Sequence, residues 1–251
     1  MFNPSLSWSF PPAELVLSSP DVHVWCASLE QSDMLVQKLA QTLSEDEQAR
    51  ANRFYFERDR KHFTVGRGLL RTILSRYTGI APNQLQFCYG SRGKPALATQ
   101  GSDSTIQFNV SHSQGLALYA VTRDRQIGID LEQIRPTSDI EQLAKRFFSP
   151  REYGVIRSLP PTQKQEAFFR GWTCKEAYLK AIGEGLALLQ QVEVSLVLEE
   201  SARLLSIDDQ DTKAAAHWSL QMLTPAPGYM GAIAVEGHDW HLSCWQWPTH
   251  D

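Results

Sequence analysis

A pattern that recurs after 105 residues is the feature that most constrains how this chain can fold. The capping box Ser44-x-x-Glu47, which is typical of a helix start, recurs at this offset from Ser149. Gly66 and Gly171 lie at the same offset inside two predicted long helices. Each half is predicted to contain a strand, a short helix, a long helix and a small sheet.

We therefore predict an α+β fold of two similar α+β subdomains, related by a pseudo-two-fold axis, with a ligand site in the cleft between them. The predicted division is residues 1–125 for the N-terminal subdomain and 126–251 for the C-terminal subdomain. Few residues are identical between the halves, so a chance alignment is the alternative.

Local patterns predict the individual elements. Residues 59–77 and 162–182 are predicted long helices that end at glycines, and Ser138-x-x-Glu141 predicts a further helix start. The proline-rich residues 1–20 and the polar residues 200–213 are predicted to be irregular. Strands are predicted over residues 22–29, 85–89, 106–110, 116–122, 127–134, 192–198, 218–223, 229–235 and 240–247.

Composition narrows the class of protein. No apolar run approaches the roughly 18 residues of a membrane span, and the N-terminus lacks the pattern of a secretory signal. We therefore expect a cytoplasmic protein without membrane association. The four cysteines form no CxxC pair, and reduced thiols are expected for them in that compartment.

The net charge of −4 conceals a basic segment. Between Arg50 and Lys94 there are ten basic residues and only two acidic ones. Such a segment within an acidic protein indicates an anionic ligand bound locally and argues against a nucleic-acid surface along the whole chain. A solvated helix face is the alternative on charge alone.

Two short acidic stretches carry the strongest chemical signal. Asp130 and Glu132 are two positions apart in a predicted strand and would point to one side of it. Glu176 and Lys180 are four positions apart in a predicted helix and would share one of its faces. Three converging carboxylates make a site for a hard cation such as Mg²⁺, and a lysine beside them suits phosphoryl chemistry. The alternatives are exposed carboxylates on an edge strand and a simple helical ion pair.

The motifs around these residues resemble those of the 4′-phosphopantetheinyl transferases, most fully the Sfp-type branch. The segments Arg53-Phe54-Tyr55 and Gly66-Arg67-x-Leu-x-Arg71 match more loosely. The clearer matches follow the family's order and are Gly-Lys-Pro at 93–95, Phe-Asn-Val-Ser-His-Ser at 108–113, Ile-Gly-Ile-Asp-Leu-Glu at 127–132 and Trp-Thr-Cys-Lys-Glu-Ala at 172–177.

The resemblance implies an enzyme that moves the phosphopantetheine arm of coenzyme A to a serine of an apo acyl carrier protein or peptidyl carrier domain. The reaction would require Mg²⁺ and release adenosine 3′,5′-bisphosphate. The two-subdomain form of the family also implies a monomer. No nucleic-acid or membrane partner is implied.

The resemblance also assigns roles to residues. Asp130, Glu132 and Glu176 would hold the metal, with Glu176 also acting as general base and Lys180 contacting the pyrophosphate. The positions of three further residues around the predicted helix, relative to Glu176, indicate a supporting role for Lys175, packing for Trp172 and a core thiol for Cys174. The residues expected to bind coenzyme A are Arg53, Arg67, Lys94, Pro95, Ser111, His112 and Lys180. His62 stands near an arginine of some family members, and this departure leaves its role open.

Two other functions are compatible with parts of the sequence. A different Mg²⁺-dependent phosphoryl or nucleotidyl transferase would be expected to show a Walker or Rossmann glycine motif, and the chain has neither. A non-catalytic carrier- or nucleic-acid-binding module would leave the acidic residues without a role. Phe147, Phe148 and Tyr153 are either core residues or a docking surface for a carrier helix.

Overall fold

The computed structural model describes residues 7–98, 106–137, 139–198, 200–208 and 211–248. A short 3₁₀ segment follows each of the two long helices, at Pro82–Gln84 and Leu186–Gln191. The first half contains β1 (Trp8–Ser9), β2 (Asp21–Ser28), α1 (Asp33–Ala40), α2 (Glu45–Ala51), α3 (Glu57–Thr78), β3 (Phe87–Tyr89), β4 (Pro95–Leu97), β5 (Ile106–Ser113) and β6 (Leu116–Arg123). The second half contains β7 (Ile127–Gln133), α4 (Ile140–Phe147), α5 (Pro150–Ser158), α6 (Pro161–Ile182), β8 (Val192–Val194), β9 (Leu204–Ile207), α7 (Thr212–Ala215), β10 (Trp218–Leu223), β11 (Tyr229–Glu236) and β12 (His241–Gln246).

The two halves repeat one topology. Each has a strand, three helices, a 3₁₀ segment, a two-stranded hairpin and two further strands. In the first half β6 pairs antiparallel with both β2 and β5, and in the second β11 pairs antiparallel with both β7 and β10. The hairpins β3–β4 and β8–β9 also correspond. The predicted α+β fold of two similar units is confirmed, while the boundary between residues 125 and 126 stays a prediction.

The last strand of the chain returns to the first sheet. β12 pairs in parallel with β2, and β1 pairs with β12, so this sheet has the order β1-β12-β2-β6-β5. Trp247 follows β12 and packs on Trp25 of β2, with ring centroids 5.9 Å apart. The first hydrophobic core is therefore completed by residues from the far end of the chain.

The long helices α3 and α6 end as their glycines predict. Both have 22 residues, and both are followed by a glycine in the left-handed conformation, Gly79 with φ 70° and Gly183 with φ 76°. In the second half β7 lies directly on α6. A Cβ atom at Gly128 of β7 would come within 2.0 Å of the carbonyl oxygen of Ala177, so only glycine permits this contact.

A buried ion pair ties the short helix to the long helix in each half. The capping-box glutamate Glu47 at the start of α2 accepts from Arg71 Nε of α3 at 2.6 Å. The corresponding glutamate of α5, Glu152, accepts from Lys175 of α6. Each cation also donates to main-chain carbonyl groups in or next to the 3₁₀ segment that follows its long helix. The repeated capping box is thus part of a repeated packing device.

Several sequence predictions need correction. The short strand β1 lies within residues 1–20, which were predicted to be irregular, and β4 was not predicted. Residues 200–213 are not an irregular loop, because the described part contains β9 and α7. Leu204 and Ser206 of β9 are buried alternately with more exposed neighbours, a strand pattern hidden by the polar composition around it. The strand predicted over 192–198 ends at Val194. Helix α1 was not predicted at all.

The four cysteines are free thiols, as expected. The described residues 139–148 contain α4, which begins at Ile140 after Asp139, and Ser138 of the predicted capping box lies outside the described residues. No helix in the described ranges is both long enough and apolar enough to cross a membrane.

We predict that Gly128→Ala lowers the free energy of unfolding by at least about 2 kcal/mol, because the added methyl group meets helix backbone that cannot rotate away. Gly154→Ala, inside α5 with no atom within 4 Å of the added carbon, should be neutral or stabilising by up to about 1 kcal/mol. Urea unfolding measures both. Equal effects of the two substitutions would contradict the close packing of β7 on α6.

Candidate functional site

The candidate site lies where β5 of the first half runs beside β7 of the second. These strands do not pair through their main chains. Instead the N–H groups of residues 129, 131 and 133 donate to Asn109 Oδ1, Ser111 Oγ and Ser113 Oγ at 2.9, 3.2 and 3.1 Å. Alternate side chains of one strand therefore satisfy alternate N–H groups of the other, and we call this contact the β5–β7 seam.

The seam places Asp130 beside Lys180. Ser111 Oγ donates to Asp130 Oδ1 at 3.0 Å, and Lys180 Nζ of α6 donates to the same oxygen at 2.6 Å and to Ser111 Oγ at 3.0 Å. Because Ser111 also accepts from the β7 main chain, its one donor and both acceptor positions are used. Within the described residues the second oxygen, Asp130 Oδ2, is buried without a hydrogen-bond partner. That oxygen is therefore a buried acceptor whose hydrogen-bonding capacity is unsatisfied.

Glu132 and Glu176 lie near enough to Asp130 to feel its charge. Ser113 Oγ donates to Glu132 Oε2 at 3.2 Å. Burial, and next the charge of Asp130, raise the pKa of Glu132 above its ordinary value. Burial followed by the charges of Asp130 and Glu132 raises the pKa of Glu176 to about 7, although Lys180 opposes this shift. The three carboxylates thus repel one another, and a cation between them would relieve that repulsion.

A metal ion is compatible with these donors but is not enclosed by them. Among the residues that the structure describes, no group of three or more His, Cys, Asp or Glu side chains is arranged to hold a metal ion. Mg²⁺ usually takes one or two carboxylates and completes its octahedron with water and substrate phosphate. The free oxygen of Asp130 and the two raised pKa values fit such an open site. The predicted metal ligands Asp130, Glu132 and Glu176 stay a prediction.

A basic cavity of about 530 Å³ adjoins the seam and is lined by Pro95 and His112. Partial desolvation, and next the positive charges of Lys180 and His62, lower the pKa of His112. Arg67 lines the cavity too, and its Nη1 is a buried donor without a partner in the described part of the chain. The other basic residues of the lining are Arg50, Arg58 and His62. Glu30 and Asp59 line the cavity as well, so its three arginines outnumber its carboxylates by one, and these arginines supply the donors suited to an anionic ligand.

Two predicted ligand residues lie apart from this cavity. Arg53 lines a neighbouring surface pocket with Arg50 and Phe54. Lys94 donates to the main-chain oxygens of Ile127 and Ala181, and burial lowers its pKa to about 8. Their binding to coenzyme A stays a prediction. In contrast, the structure brings together Ser111, Asp130, Glu132, Glu176 and Lys180, with Arg67, Pro95 and His112 in the adjoining cavity.

The remaining residues of the acidic motifs serve packing. Cys174 is buried, and burial raises its pKa to about 12, as expected of a core thiol. Trp172 stacks on Phe168 at 5.8 Å. Phe148 is only 2% exposed, so it belongs to the core and not to a docking surface. Lys175 is fully buried in its ion pair, which gives its supporting role a physical form.

Some site residues were missed from the sequence. Asn109 and Ser113 lay within a quoted motif, and their alternation with Ser111 along a strand could have indicated a polar contact on one side. Arg50 and Arg58 lay within the basic segment, but the count of charges did not show which arginines face the cavity.

The profile of the 4′-phosphopantetheinyl transferase superfamily matches residues 126–243, and that of the 4′-phosphopantetheinyl transferase N-terminal domain matches residues 25–123. The 4′-phosphopantetheinyl transferase HetI of Nostoc sp. is 52% identical over 96% of this chain and 98% of its own length. The chain therefore belongs to the 4′-phosphopantetheinyl transferase superfamily and is a phosphopantetheinyl-transferring enzyme, as its motifs predicted.

More distant relatives have the same activity in their names. A 4′-phosphopantetheinyl transferase of Bacillus subtilis is 33% identical over 60% of this chain and 65% of its own length. The L-aminoadipate-semialdehyde dehydrogenase-phosphopantetheinyl transferase of Xenopus laevis is 33% identical over 74% and 66%. A holo-ACP-synthase structure from Plasmodium yoelii gives a TM-score of 0.31 at 15% identity, covering 45% of this chain and 94% of that one.

Lys175 and Lys180 should contribute differently to the free energy of unfolding. Lys175→Met leaves the carboxylate of Glu152 buried without its cation and should lower the free energy of unfolding by about 3–5 kcal/mol. Lys180→Met should cost clearly less, because Lys180 is 29% exposed and Asp130 keeps the Ser111 hydroxyl. Urea unfolding of both variants measures these losses. Equal losses in the free energy of unfolding would contradict the larger structural role of Lys175.

Glu176 should make the metal-free protein less stable as pH rises. Its pKa is about 7 when folded, against an ordinary value of 4.5, so the folded chain binds the proton more tightly. Stability from this group is therefore lost between about pH 4.5 and 7. Glu176→Gln should reduce the loss between pH 5 and 7.5, measured by urea unfolding in chelator. Glu166→Gln, at an exposed position of α6, is the control and should follow the parent.

Proposed function

We propose that this enzyme transfers 4′-phosphopantetheine from coenzyme A to a serine of an apo acyl carrier protein or peptidyl carrier domain. The reaction would depend on Mg²⁺ and release adenosine 3′,5′-bisphosphate. The observation that carries the proposal is the nearness of the basic cavity to the Asp130–Lys180 pair, since His112 lines that cavity and the charge of Lys180 lowers the pKa of His112. A polyanionic donor could therefore lie in the cavity with its pyrophosphate at the carboxylates.

The basic cavity would hold the nucleotide part of coenzyme A. The unpaired Nη1 of Arg67 is a donor suited to a phosphate oxygen, and guanidinium groups bind phosphate in a fixed geometry. Arg50 and Arg58 add positive charge around the same space. His112 lies between this space and Lys180, where it could donate to the 3′-phosphate. Pro95 gives the cavity an apolar wall for the adenine.

The reaction requires a serine hydroxyl to attack the β-phosphorus. A bond forms between the serine oxygen and this phosphorus, and the bond from the phosphorus to the oxygen shared with the α-phosphate breaks. Glu176 would take the serine proton, directly or through a water molecule, because a pKa near 7 suits a base at neutral pH. The shared oxygen leaves with adenosine 3′,5′-bisphosphate.

Lys180 would stabilise the negative charge that develops on the leaving α-phosphate. Its Nζ is held by Asp130 and Ser111, so the ammonium group is oriented before substrate arrives. Bound Mg²⁺ would neutralise charge on the pyrophosphate oxygens, and Asp130, Glu132 and Glu176 are the residues that would hold it. Ser113 would keep the Glu132 carboxylate in place through its hydrogen bond.

Membership of the family supports the proposed acceptor. A carrier domain presents its serine as a protein substrate, so the cleft must be open to a macromolecule. Lys180 is 29% exposed, which is compatible with such access. Action as a monomer in the cytoplasm is part of the same proposal, as is the absence of nucleic-acid partners.

Mass spectrometry of an apo-carrier domain incubated with enzyme, coenzyme A and Mg²⁺ tests the proposal. The carrier should gain the mass of one phosphopantetheine, and adenosine 3′,5′-bisphosphate should appear in equal amount. Asp130→Asn and Glu176→Gln should each lower kcat by at least about 10²-fold, because each removes a charge that acts at the reacting phosphate.

Matched measurements separate the alternatives. Glu166→Gln should transfer at the parent rate, since its side chain is exposed on the same helix. Calorimetric titration with Mg²⁺ should show weaker binding to Asp130→Asn than to the parent. Transfer at the parent rate by Asp130→Asn would contradict the metal assignment. Cleavage of coenzyme A without modification of any carrier domain would instead indicate another phosphoryl transferase.

A further inference from the structure

Lys94 joins the first half of the molecule to two elements of the second. It immediately precedes β4, at the tip of the β3–β4 hairpin. Its Nζ donates to the main-chain oxygen of Ile127 at 3.1 Å and to that of Ala181 at 2.6 Å. Ile127 is the first residue of β7, and Ala181 lies in the last turn of α6.

Both carbonyl groups are of a kind that needs a donor from outside its own element. The main-chain groups of successive residues in a strand point alternately to its two sides. Those of residues 129, 131 and 133 of β7 face the seam. Ile127 belongs to this alternate set, so its oxygen also faces away from β11. The last four carbonyls of a helix lack intrahelical partners, and a cation is favourable at that end. Lys94 satisfies one group of each kind.

The amine of Lys94 does not line the basic cavity. It lines a different cavity of about 320 Å³, together with Gln126, Ile182 and Gly183. Pro95 lines both cavities, so the hairpin forms the wall between them. Arg92, also at the hairpin tip, pairs with Glu184 just beyond α6 at 2.8 Å. Two cations of one hairpin thus contact the end of the helix that carries Glu176 and Lys180.

We propose that Lys94 is a positioning residue that fixes the hairpin to the start of β7 and the end of α6, and that it is not a ligand of the 3′-phosphate. Its contact with Ala181 holds the turn of α6 that contains Lys180, and its place in the chain holds Pro95 at the basic cavity. The consequence for catalysis rests on the proposed use of coenzyme A. The consequence for stability does not.

Thermal unfolding without any ligand is the first test. Lys94→Met removes the donor and leaves two main-chain oxygens unsatisfied, so Tm should fall by about 3–10 °C. Lys38→Met, at an exposed position of α1, is the control and should leave Tm unchanged within about 1 °C. An unchanged Tm for Lys94→Met would overturn the proposal. This result is independent of whether coenzyme A is the substrate.

The second test compares coenzyme A with 3′-dephospho-coenzyme A as donors. The donor ratio is kcat/KM for coenzyme A divided by kcat/KM for 3′-dephospho-coenzyme A. For a positioning residue, Lys94→Met should lower kcat/KM for both donors, so that this ratio stays within about twofold of its value in the parent. Arg67→Met should lower the donor ratio, because Arg67 lies in the basic cavity proposed to bind the nucleotide part of coenzyme A. This variant therefore shows how the loss of a phosphate ligand changes the ratio. A fall of about tenfold or more in the ratio for Lys94→Met would make Lys94 a phosphate ligand and overturn the proposal.

A second variant keeps the test decisive if Lys94→Met folds poorly. Lys94→Gln keeps an N–H donor on a shorter, uncharged side chain, so its Tm should fall less than that of Lys94→Met while its donor ratio also stays within about twofold. A ratio that falls about tenfold in this variant would equally overturn the proposal. If the parent enzyme uses neither donor, the proposed function fails, and the ligand-free Tm comparison still decides the structural role of Lys94.

Discussion

The unpaired edge of β7 is the constraint on which the rest of the site depends. A buried strand edge leaves main-chain groups that must find partners, because an unsatisfied group costs about 1–3 kcal/mol. Here side chains of the first half supply them, with Asn109, Ser111 and Ser113 accepting and Lys94 donating. Since Ser111 and Ser113 also donate to Asp130 and Glu132, one set of hydrogen bonds joins the halves and orients the carboxylates.

The repeat was predictable because its signals are local, whereas the seam was not. Capping boxes and helix-ending glycines depend on a few neighbouring residues, and the corresponding helix starts and stops agree with the structure. The seam depends on two strands about 20 residues apart lying side by side without pairing. The alternation of Asn109, Ser111 and Ser113 indicates a polar side of β5 but not which strand lies against it. Helix α1 has one buried residue, Leu39, and β9 has only four residues, so neither element carries a periodic pattern long enough to predict it.

The basic segment shows a different limit of sequence reasoning. Its excess charge predicts a place for an anion, and the structure divides its arginines among separate tasks. Arg71 and Arg67 both pair with Glu47 inside the core, and only Arg67, whose buried Nη1 has no partner among the described residues, also lines the cavity. A count of charges gives their density but not the direction in which each side chain points. That direction is set by tertiary packing on α2 and α3.

The repeat also explains why the molecule has one acidic site and not two. At the 105-residue offset, Trp25 corresponds to Asp130. Trp25 is fully buried and donates to Tyr77 at 2.8 Å, and Trp247 from beyond β12 packs against it. Aromatic rings therefore fill the first half where the second half has the Asp130 carboxylate, whereas the buried ion pair is present in both halves. Because β12 covers that region, the first half could not open an equivalent cleft without losing part of its core. The duplication has thus kept one packing plan, with the first half supplying the basic cavity and the second the acids beside it.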